Sequence, residues 1–271
     1  MSRRLLVAAL AVVLLAGAVL VAVRELGGSA PELGAEPVAR PLLHPSQDQP
    51  GPVLLVPGYG GDRRSLLKLA GQIEDETGRD TLVLRLDGDG TGDLTAQVAV
   101  LDAAVRDALA EGAPSVDVVG YSAGGVVAGL WVAREEGAQR ARRVVSLGAP
   151  LHGTTLAGFA ATFRPQECPA ACRQLAPDSP LLAELEQAEV GDEVPWLSVW
   201  TLDDETVTPP ETARLAGAVN VAIQDVCPGV RVRHGELPTD RAVTGLVLNA
   251  LSTRPIDAVA DCASLRATGT G

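Results

Sequence analysis

The amino-acid sequence predicts an α/β fold in which helices flank a mostly parallel sheet. Short apolar, β-branched runs bounded by Gly, Pro or Asp recur along the chain, and stretches with helical spacing of apolar residues separate them. One such strand directly precedes a Gly-rich turn at residues 120–124. Strands that alternate with helices form parallel sheets, because each connecting helix returns across a face of the sheet.

Six segments have the composition of buried strands, since each is short, apolar and bounded by turn-forming residues. They are residues 53–56, 81–86, 116–119, 143–147, 196–201 and 219–223. Between and after these strands, apolar residues recur at helical spacing. The predicted helices are residues 65–77, 94–111, 123–136 and 237–251. Strand and helix therefore alternate along most of the chain.

The composition excludes several classes of protein. The 271 residues carry a net charge of −12, and Lys68 is their single lysine. No basic surface is therefore available to neutralise phosphates, and we expect no nucleic-acid partner. Hydrophobic residues make up 46% of the chain, which is enough to form the core of one globular domain. We expect the protein to be a monomer.

The amino-terminal residues 1–28 have the pattern of an export signal. Arg3 and Arg4 precede an uncharged apolar run at residues 5–23. A cleaved signal peptide has an apolar region of roughly 7 to 15 residues, whereas a membrane-spanning helix needs about 20. Residues 16–18, Ala-Gly-Ala, resemble a cleavage site but lie inside the run. A removed signal and an uncleaved membrane anchor both fit, and we favour the anchor, with the rest of the chain outside the cytoplasm.

Three further segments complete the predicted organisation. Residues 29–52 are rich in proline among polar residues, a composition that favours an extended tether. Residues 53–253 form the predicted α/β domain, and residues 254–271 form a tail that we expect a disulfide to hold.

The cysteines indicate two disulfides. Cys168, Cys172, Cys227 and Cys262 form an even set, and disulfides persist in exported proteins. Cys168 and Cys172 have the wrong spacing for a C-x-x-C redox motif and no nearby histidine for a zinc site. We therefore expect Cys168 to pair with Cys172, and Cys227 with Cys262.

The turn at residues 120–124 matches the G-x-S-x-G motif of a nucleophilic serine, here Ser122. A predicted strand precedes the motif and a predicted helix follows it, as the motif requires. The flanking Gly120 and Gly124 leave room for a sharp turn that projects the hydroxyl group. Ser122 is thus the predicted nucleophile.

Residues 53–251 resemble the bacterial lipase and esterase branch of the α/β-hydrolase superfamily. Besides the serine motif, the segment Pro57-Gly58-Tyr59-Gly60 resembles the H-G-x-G-type turn after the family's first strand. Pro57 stands where the family usually has His. The resemblance implies the α/β-hydrolase fold, and it implies that the backbone N–H groups of Tyr59 and Ala123 bind the oxyanion.

A nucleophilic serine needs a base, and the chain has His44, His152 and His234. His44 lies in the predicted tether, where nothing rigid would position it. His152 belongs to a G-x-P-x-H-G-T segment at residues 148–154, which in similar lipases lies near the pocket without supplying the base. His234 follows the last predicted strand, where the family's catalytic histidine lies, and it fits the order Ser, acid, His.

The predicted acid lies between the nucleophile and the base. The acidic run after the strand at residues 196–201 resembles the family's D-x-x-V-x-P segment. The acid falls at Asp204, because Val207 and Pro209 then match the pattern. Asp203 is the second choice, and Glu205 is the third.

Residues 153–194 interrupt the alternation of strands and helices with two cysteines, several prolines and one helical stretch at residues 181–188. We expect an insertion above the active site and a candidate lid. No cofactor or metal is predicted, because no metal or nucleotide motif is present. The segment Asp87-Gly88-Asp89-Gly90 lacks the spaced ligands and closing Glu of a calcium loop.

The combined pattern predicts an exported esterase or lipase with a Ser-Asp-His triad, acting on small-molecule or lipid esters. An acyltransferase or thioesterase would use the same triad, because the acceptor that resolves an acyl-enzyme leaves no motif. A non-catalytic binding protein on a hydrolase scaffold is the alternative from another class, since a fold alone does not determine function.

Overall fold

A six-stranded sheet forms the centre of the structure, a computed structural model that describes residues 44–257 and 261–269. The strands are β1 (Val53–Val56), β2 (Thr81–Val83), β3 (Val116–Tyr121), β4 (Ala141–Leu147), β5 (Trp196–Trp200) and β6 (Val219–Ala222). Their order is β2-β1-β3-β4-β5-β6, and every neighbouring pair is parallel. The predicted parallel α/β architecture is confirmed.

Helices connect the strands and cover both faces of the sheet. They are α1 (Arg64–Thr77), α2 (Leu94–Ala110), α3 (Ala123–Arg134), α4 (Thr155–Phe163), α5 (Ala170–Gln174), α6 (Pro180–Gln187), α7 (Val190–Glu193), α8 (Ile223–Val226), α9 (Arg241–Leu251) and α10 (Cys262–Thr268). Four 3₁₀ turns lie at Gly137–Gln139, Pro165–Glu167, Pro210–Ala213 and His234–Thr239.

Two apolar clusters hold these layers together. One lies between the sheet and α2, α3 and α6, and it contains the fully buried Trp131. The other lies between the opposite face and α1 and α9, and it contains Ile73 and Val243. All seven residues of β4 are buried, because helices cover both of its faces. This double coverage explains why the strands are continuous apolar runs in the sequence.

The insertion at residues 153–194 contains four short helices, α4 to α7, where the sequence predicts one. The Cys168–Cys172 disulfide lies within it. The amino-terminal end of the insertion is fixed beside the loop after β5, because the Thr155 N–H donates to the Thr208 carbonyl (2.8 Å). Its middle is fixed near α2, because the Ala171 N–H donates to the Thr91 carbonyl (3.1 Å).

Parallel strands bring their carboxyl ends to one edge of the sheet, the carboxyl edge, and their amino ends to the other, the amino edge. Residues 44–52, the last part of the predicted tether, lie along the amino edge. The Asp117 N–H donates to the Pro52 carbonyl (3.0 Å), and the buried Ser115 hydroxyl donates to the Gln49 carbonyl (3.1 Å). This part of the chain therefore contacts the domain instead of leaving it as free chain.

Three arginines surround Asp117 at the amino edge and form the arginine cluster, Arg79, Arg142 and Arg143. Arg79 Nη2 lies 2.6 Å from Asp117 Oδ2, and Arg142 Nε lies 3.1 Å from Asp117 Oδ1. Arg143 Nη1 donates to the Ala250 carbonyl (2.6 Å) at the carboxyl end of α9. The unpaired carbonyls at a helix carboxyl end favour nearby cations.

The carboxyl-terminal segment is held by more than a disulfide. Cys227 and Cys262 are bonded as expected. The tail also forms α10, whose Leu265 is fully buried. A Cβ added to Gly245 of α9 would lie 2.2 Å from the Leu265 carbonyl oxygen, so the glycine permits the close approach of these two helices. Both predicted disulfides are present, and the described residues contain no free cysteine.

Candidate active site

Ser122 lies on the sharp turn between β3 and α3. Its φ of 53° and ψ of −126° are strained for a residue with a side chain. No side chain fits at the two flanking positions. A Cβ on Gly120 would lie 2.5 Å from Gly125 Cα, and one on Gly124 would lie 2.2 Å from the Val56 carbonyl oxygen. The turn therefore holds the Ser122 hydroxyl at the carboxyl edge.

His234 begins the 3₁₀ turn His234–Thr239, and its side chain connects the other two predicted residues. Its Nε2 lies 3.0 Å from Ser122 Oγ, and its Nδ1 lies 2.7 Å from Asp204 Oδ2. His234 is 5% exposed, Asp204 6% and Ser122 9%, so the chain of hydrogen bonds is shielded from solvent. A carboxylate only accepts hydrogen bonds, so Nδ1 carries the proton and Nε2 is the acceptor that faces Ser122.

The loop after β5 separates the roles of its three acidic residues. Asp204 Oδ1 accepts the N–H groups of Thr206 (2.9 Å) and Val207 (2.7 Å), which leaves Oδ2 for the imidazole. Asp203 instead pairs with Arg231 at 2.6 Å. Glu205 Oε2 accepts the backbone N–H of His234 (3.3 Å). Of the three candidates, only Asp204 contacts the imidazole ring.

Tyr59 belongs to the loop after β1 and Ala123 directly follows the nucleophile, and the backbone N–H groups of both have no acceptor among the described residues. The loop after β1 approaches closely, since a Cβ on Gly58 would lie 2.9 Å from Ser122 Cβ. The loop is held in place because the Gly60 N–H donates to the Gly90 carbonyl (3.2 Å). Free N–H groups at such a place can bind a developing oxyanion.

The side chains of the other two histidines contact backbone carbonyls and are not part of the chain of hydrogen bonds from Ser122 to Asp204. His44 Nδ1 is 3.2 Å from the Ala138 carbonyl, near the amino edge. His152 Nδ1 is 3.1 Å from the Thr212 carbonyl. The segment that contains His152 contacts the loop after β5, because Thr154 Oγ1 donates to the Thr206 carbonyl (2.8 Å).

Tyr121 and Gly148 surround the imidazole, and the sequence did not predict either role. The Tyr121 hydroxyl donates to the His234 carbonyl (3.2 Å), and the two ring centroids lie 5.2 Å apart. A Cβ on Gly148, whose φ is +57°, would lie 3.1 Å from His234 Nδ1. Gly148 is the first residue of the G-x-P-x-H-G-T segment, and Tyr121 occupies a variable position of the serine motif. Their places in these two motifs are the only sequence features that could have pointed to them.

Burial and nearby carboxylates affect the tyrosine beside the site. Burial, together with the charges of Asp204 and Glu205, raises the pKa of Tyr121 to about 12. The hydroxyl therefore remains protonated and a hydrogen-bond donor at neutral pH. Within residues 44–257 and 261–269, no group of three or more His, Cys, Asp or Glu side chains is placed to hold a metal ion.

Helix α4 of the insertion exposes an apolar face. Leu156 is 56% exposed, Phe159 54% and Phe163 69%. The two phenylalanine rings contact each other, with centroids 4.9 Å apart. They are the only phenylalanines in the chain, so both lie on one solvent-exposed helix and neither contributes to the core.

The predicted signal or anchor at residues 1–28 lies outside the described residues. In the part of the chain that the structure describes, none of the helices combines the length and apolar character needed to cross a bilayer.

No family model matches the sequence, and no curated protein matches it. Solved structures do resemble the fold. Aspergillus fumigatus lipase B has a TM-score of 0.67 and 18% identity, over 84% of this chain and 58% of that lipase. The mature form of Bacillus licheniformis lipase BlEst2 has a TM-score of 0.54 and 19% identity, over 67% of this chain and 86% of that one. Its propeptide form has a TM-score of 0.57 and 18% identity, over 82% and 55% of the two chains.

At these identities the likeness establishes architecture alone, and this chain spans little more than half the length of the Aspergillus lipase. The six parallel strands and the helices on both faces of the sheet agree with that architecture. The chain therefore has the α/β-hydrolase fold.

Proposed function

We propose that the protein is a serine hydrolase that cleaves carboxylic esters through Ser122, His234 and Asp204. The observation that supports this most is the continuous chain of hydrogen bonds from Ser122 Oγ to Asp204 Oδ2, with two unpaired N–H groups beside the serine. A nucleophile, a base, an orienting acid and an oxyanion site form the set that acyl transfer requires.

In the first half of the reaction, Ser122 Oγ attacks the ester carbonyl carbon while His234 Nε2 accepts the hydroxyl proton. The carbonyl oxygen becomes negatively charged and accepts hydrogen bonds from the N–H groups of Tyr59 and Ala123. The C–O bond to the leaving alcohol then breaks, and the alcohol oxygen takes the proton from His234. Asp204 keeps the imidazole in the required tautomer and stabilises the imidazolium.

In the second half, water attacks the carbonyl carbon of the acyl-enzyme and gives a proton to His234 Nε2. The bond between the acyl carbon and Ser122 Oγ breaks, and the proton returns to Ser122. The products are a carboxylic acid and an alcohol. If an alcohol or thiol replaces water in this step, the same residues transfer the acyl group.

The substrates we propose are uncharged esters with apolar acyl groups. The exposed Leu156, Phe159 and Phe163 on α4 offer apolar contact area in the insertion that follows β4. The net charge of −12 disfavours anionic substrates. An esterase or lipase with a candidate lid at residues 153–194 fits both features.

We also propose that the domain at residues 53–253 works outside the cytoplasm as a monomer, on the predicted tether at residues 29–52, whose last part, residues 44–52, contacts the domain. Two disulfides support this location, since cytosolic conditions keep thiols reduced. Cell fractionation and amino-terminal sequencing test the attachment. Membrane-bound protein with an intact amino terminus is expected, and soluble protein that begins near residues 27–35 would show a cleaved signal instead.

A fluorophosphonate probe and a panel of p-nitrophenyl esters from acetate to palmitate test the reaction. We expect the probe to label Ser122, and Ser122→Ala to lower kcat/KM by about 10³-fold or more. Ser115→Ala is the matched control, because Ser115 is buried at the amino edge. A Ser122→Ala protein that keeps a tenth of the activity would exclude the mechanism.

A further inference from the structure

We propose that Tyr121 and Glu205 are positioning residues that hold the backbone of His234 from both sides, and so keep its imidazole within reach of Ser122. The inference rests on the proposed function. It adds two residues that act through the base and do not touch the substrate.

The base lies on a segment outside the sheet. His234 lies 12 residues after the last strand, β6, at the start of a short 3₁₀ turn. No strand pairing fixes its backbone, although its ring must stay 3.0 Å from Ser122 Oγ and 2.7 Å from Asp204 Oδ2. Because displacements of about 1 Å can reduce rates 100-fold, the backbone of this residue must be held as well as its ring.

The two polar groups of the His234 backbone each have a side-chain partner. Its carbonyl accepts the Tyr121 hydroxyl at 3.2 Å, and its N–H donates to Glu205 Oε2 at 3.3 Å. Tyr121 directly precedes Ser122, and Glu205 directly follows Asp204. The nucleophile and the acid therefore each have a sequence neighbour that binds the backbone of the base.

The Tyr121 ring adds a second contact, since it packs against the imidazole with an interplanar angle of 31°. Its hydroxyl is a donor at every pH at which the enzyme would work, because the pKa of Tyr121 is raised to about 12. The ring and the hydroxyl can be tested separately, because phenylalanine keeps the ring and removes only the donor.

A purely structural role would also account for these bonds, since buried polar groups are normally hydrogen-bonded. The two explanations differ in what they predict. If the role is only structural, substitution of either residue lowers the free energy of unfolding and leaves the turnover of folded molecules unchanged. If the residues position the base, substitution lowers kcat and the rate at which Ser122 reacts with a phosphonate, while the fraction of folded protein stays the same.

The experiment measures kcat, KM, the rate of fluorophosphonate labelling and thermal unfolding for Tyr121→Phe, Glu205→Ala and Glu205→Gln. We expect Tyr121→Phe and Glu205→Ala each to lower kcat and the labelling rate by about 10-fold to 100-fold, with KM changed less than about twofold. Glu205→Gln should recover most of the activity, because its amide oxygen still accepts the His234 N–H.

Ser115→Ala is the matched control, since it removes a bond from a buried hydroxyl to a backbone carbonyl at the opposite edge. It should change the unfolding temperature and leave kcat unchanged. The proposal is overturned if folded Tyr121→Phe and Glu205→Ala label and turn over within about twofold of the parent protein. Failure of the proposed function is distinguishable, because the parent protein itself would then not be labelled at Ser122.

Discussion

At the carboxyl edge of the sheet, Ser122, Asp204 and His234 form one chain of hydrogen bonds, whereas at the amino edge Asp117 lies among Arg79, Arg142 and Arg143. Both groups are buried and both include an aspartate. They differ in how their hydrogen-bonding groups are used. At the amino edge the donors bind other parts of the domain and stabilise the fold, whereas at the carboxyl edge some donors remain free for a reaction.

The donors of the arginine cluster bind the ends of the domain. Arg142 Nη1 donates to the Ser252 carbonyl (2.9 Å), and Arg143 Nε donates to Gln47 Oε1 (2.9 Å). Arg79 Nε donates to the Gly51 carbonyl (2.8 Å). The cluster therefore joins the entering chain, the start of β3 and β4, and the end of α9.

The carboxyl edge keeps some of its groups unsatisfied. The N–H groups of Tyr59 and Ala123 have no acceptor among the described residues, and Ser122 is held at φ 53°. Free donors and backbone strain destabilise a fold, so they persist where binding or chemistry uses them. Substitutions at the two edges should therefore separate activity from stability.

The largest effect is expected for the acid. Asp204→Asn should lower kcat/KM by about 10³-fold to 10⁴-fold, because an amide does not hold the imidazole in the required tautomer. Asp203→Asn is the matched control one residue away, and it should have a small effect because Asp203 pairs with Arg231. Ester hydrolysis by the two purified variants measures the difference, and the reverse ranking would move the acid to Asp203.

At the amino edge the expected effect is on stability. Asp117→Ala leaves the buried guanidinium of Arg142 without its carboxylate and should lower the free energy of unfolding by about 3 to 5 kcal/mol. Urea titration measures this. Glu167→Ala breaks an exposed pair with Arg164 and should change it by about 1 kcal/mol or less. The activity of folded Asp117→Ala should be unchanged, and selective loss of activity would contradict the separation of the two edges.

A smaller effect is expected where packing positions the base. Gly148→Ala introduces a Cβ 2.6 Å from Leu237 Cδ1 and 3.1 Å from His234 Nδ1 at a φ of +57°, and we expect kcat to fall by about 10-fold to 100-fold as the turn that carries the imidazole shifts. Steady-state kinetics measure this loss. Gly235→Ala is the control, because a Cβ there meets no atom within 4 Å. Equal effects of the two substitutions would show that the close contact is not the cause.

The smallest predicted effect is the raised pKa of Tyr121, which a titration measures. The chain has two tyrosines, so Tyr59→Phe leaves Tyr121 as the only phenol. Its absorbance change at alkaline pH should have a midpoint near 12, because burial raises its pKa from the ordinary value of 10.0. The folded state then holds the proton more tightly than the unfolded state, so stability should fall as pH rises from about 10 to 12. A midpoint near 10 would mean that Tyr121 is not buried.

Much of the fold was predictable because its signals are local. The strands of a sheet covered on both faces are short apolar runs, so β1 was predicted with its observed ends and β5 to within one residue. The serine turn was predictable because its glycines and its strand-turn-helix context are contiguous. Strand β2 ends at Val83, before the predicted residue 86, because the chain leaves the sheet after Leu84.

The rest depends on contacts between distant residues. Helices α4 and α5 are only nine and five residues long, too short for apolar spacing to identify. The predicted helix at residues 237–251 begins at Arg241, because Asp240 caps it by accepting the Ala242 N–H (2.9 Å). The contact of Tyr121 with His234 joins residues 113 positions apart. No sequence pattern indicates such a pairing.

The course of residues 44–52 along the amino edge has a practical consequence for immobilisation. The chain enters the domain at His44, near the Ala138 carbonyl, whereas Ser122 lies at the opposite edge of the same sheet. A solid support coupled at His44 would lie on the amino-edge side of the sheet, with Ser122 at the opposite edge. Random coupling through carboxylates would instead modify the acidic loop after β5. Coupling on the amino-edge side of the sheet therefore keeps the chemistry of attachment away from the site.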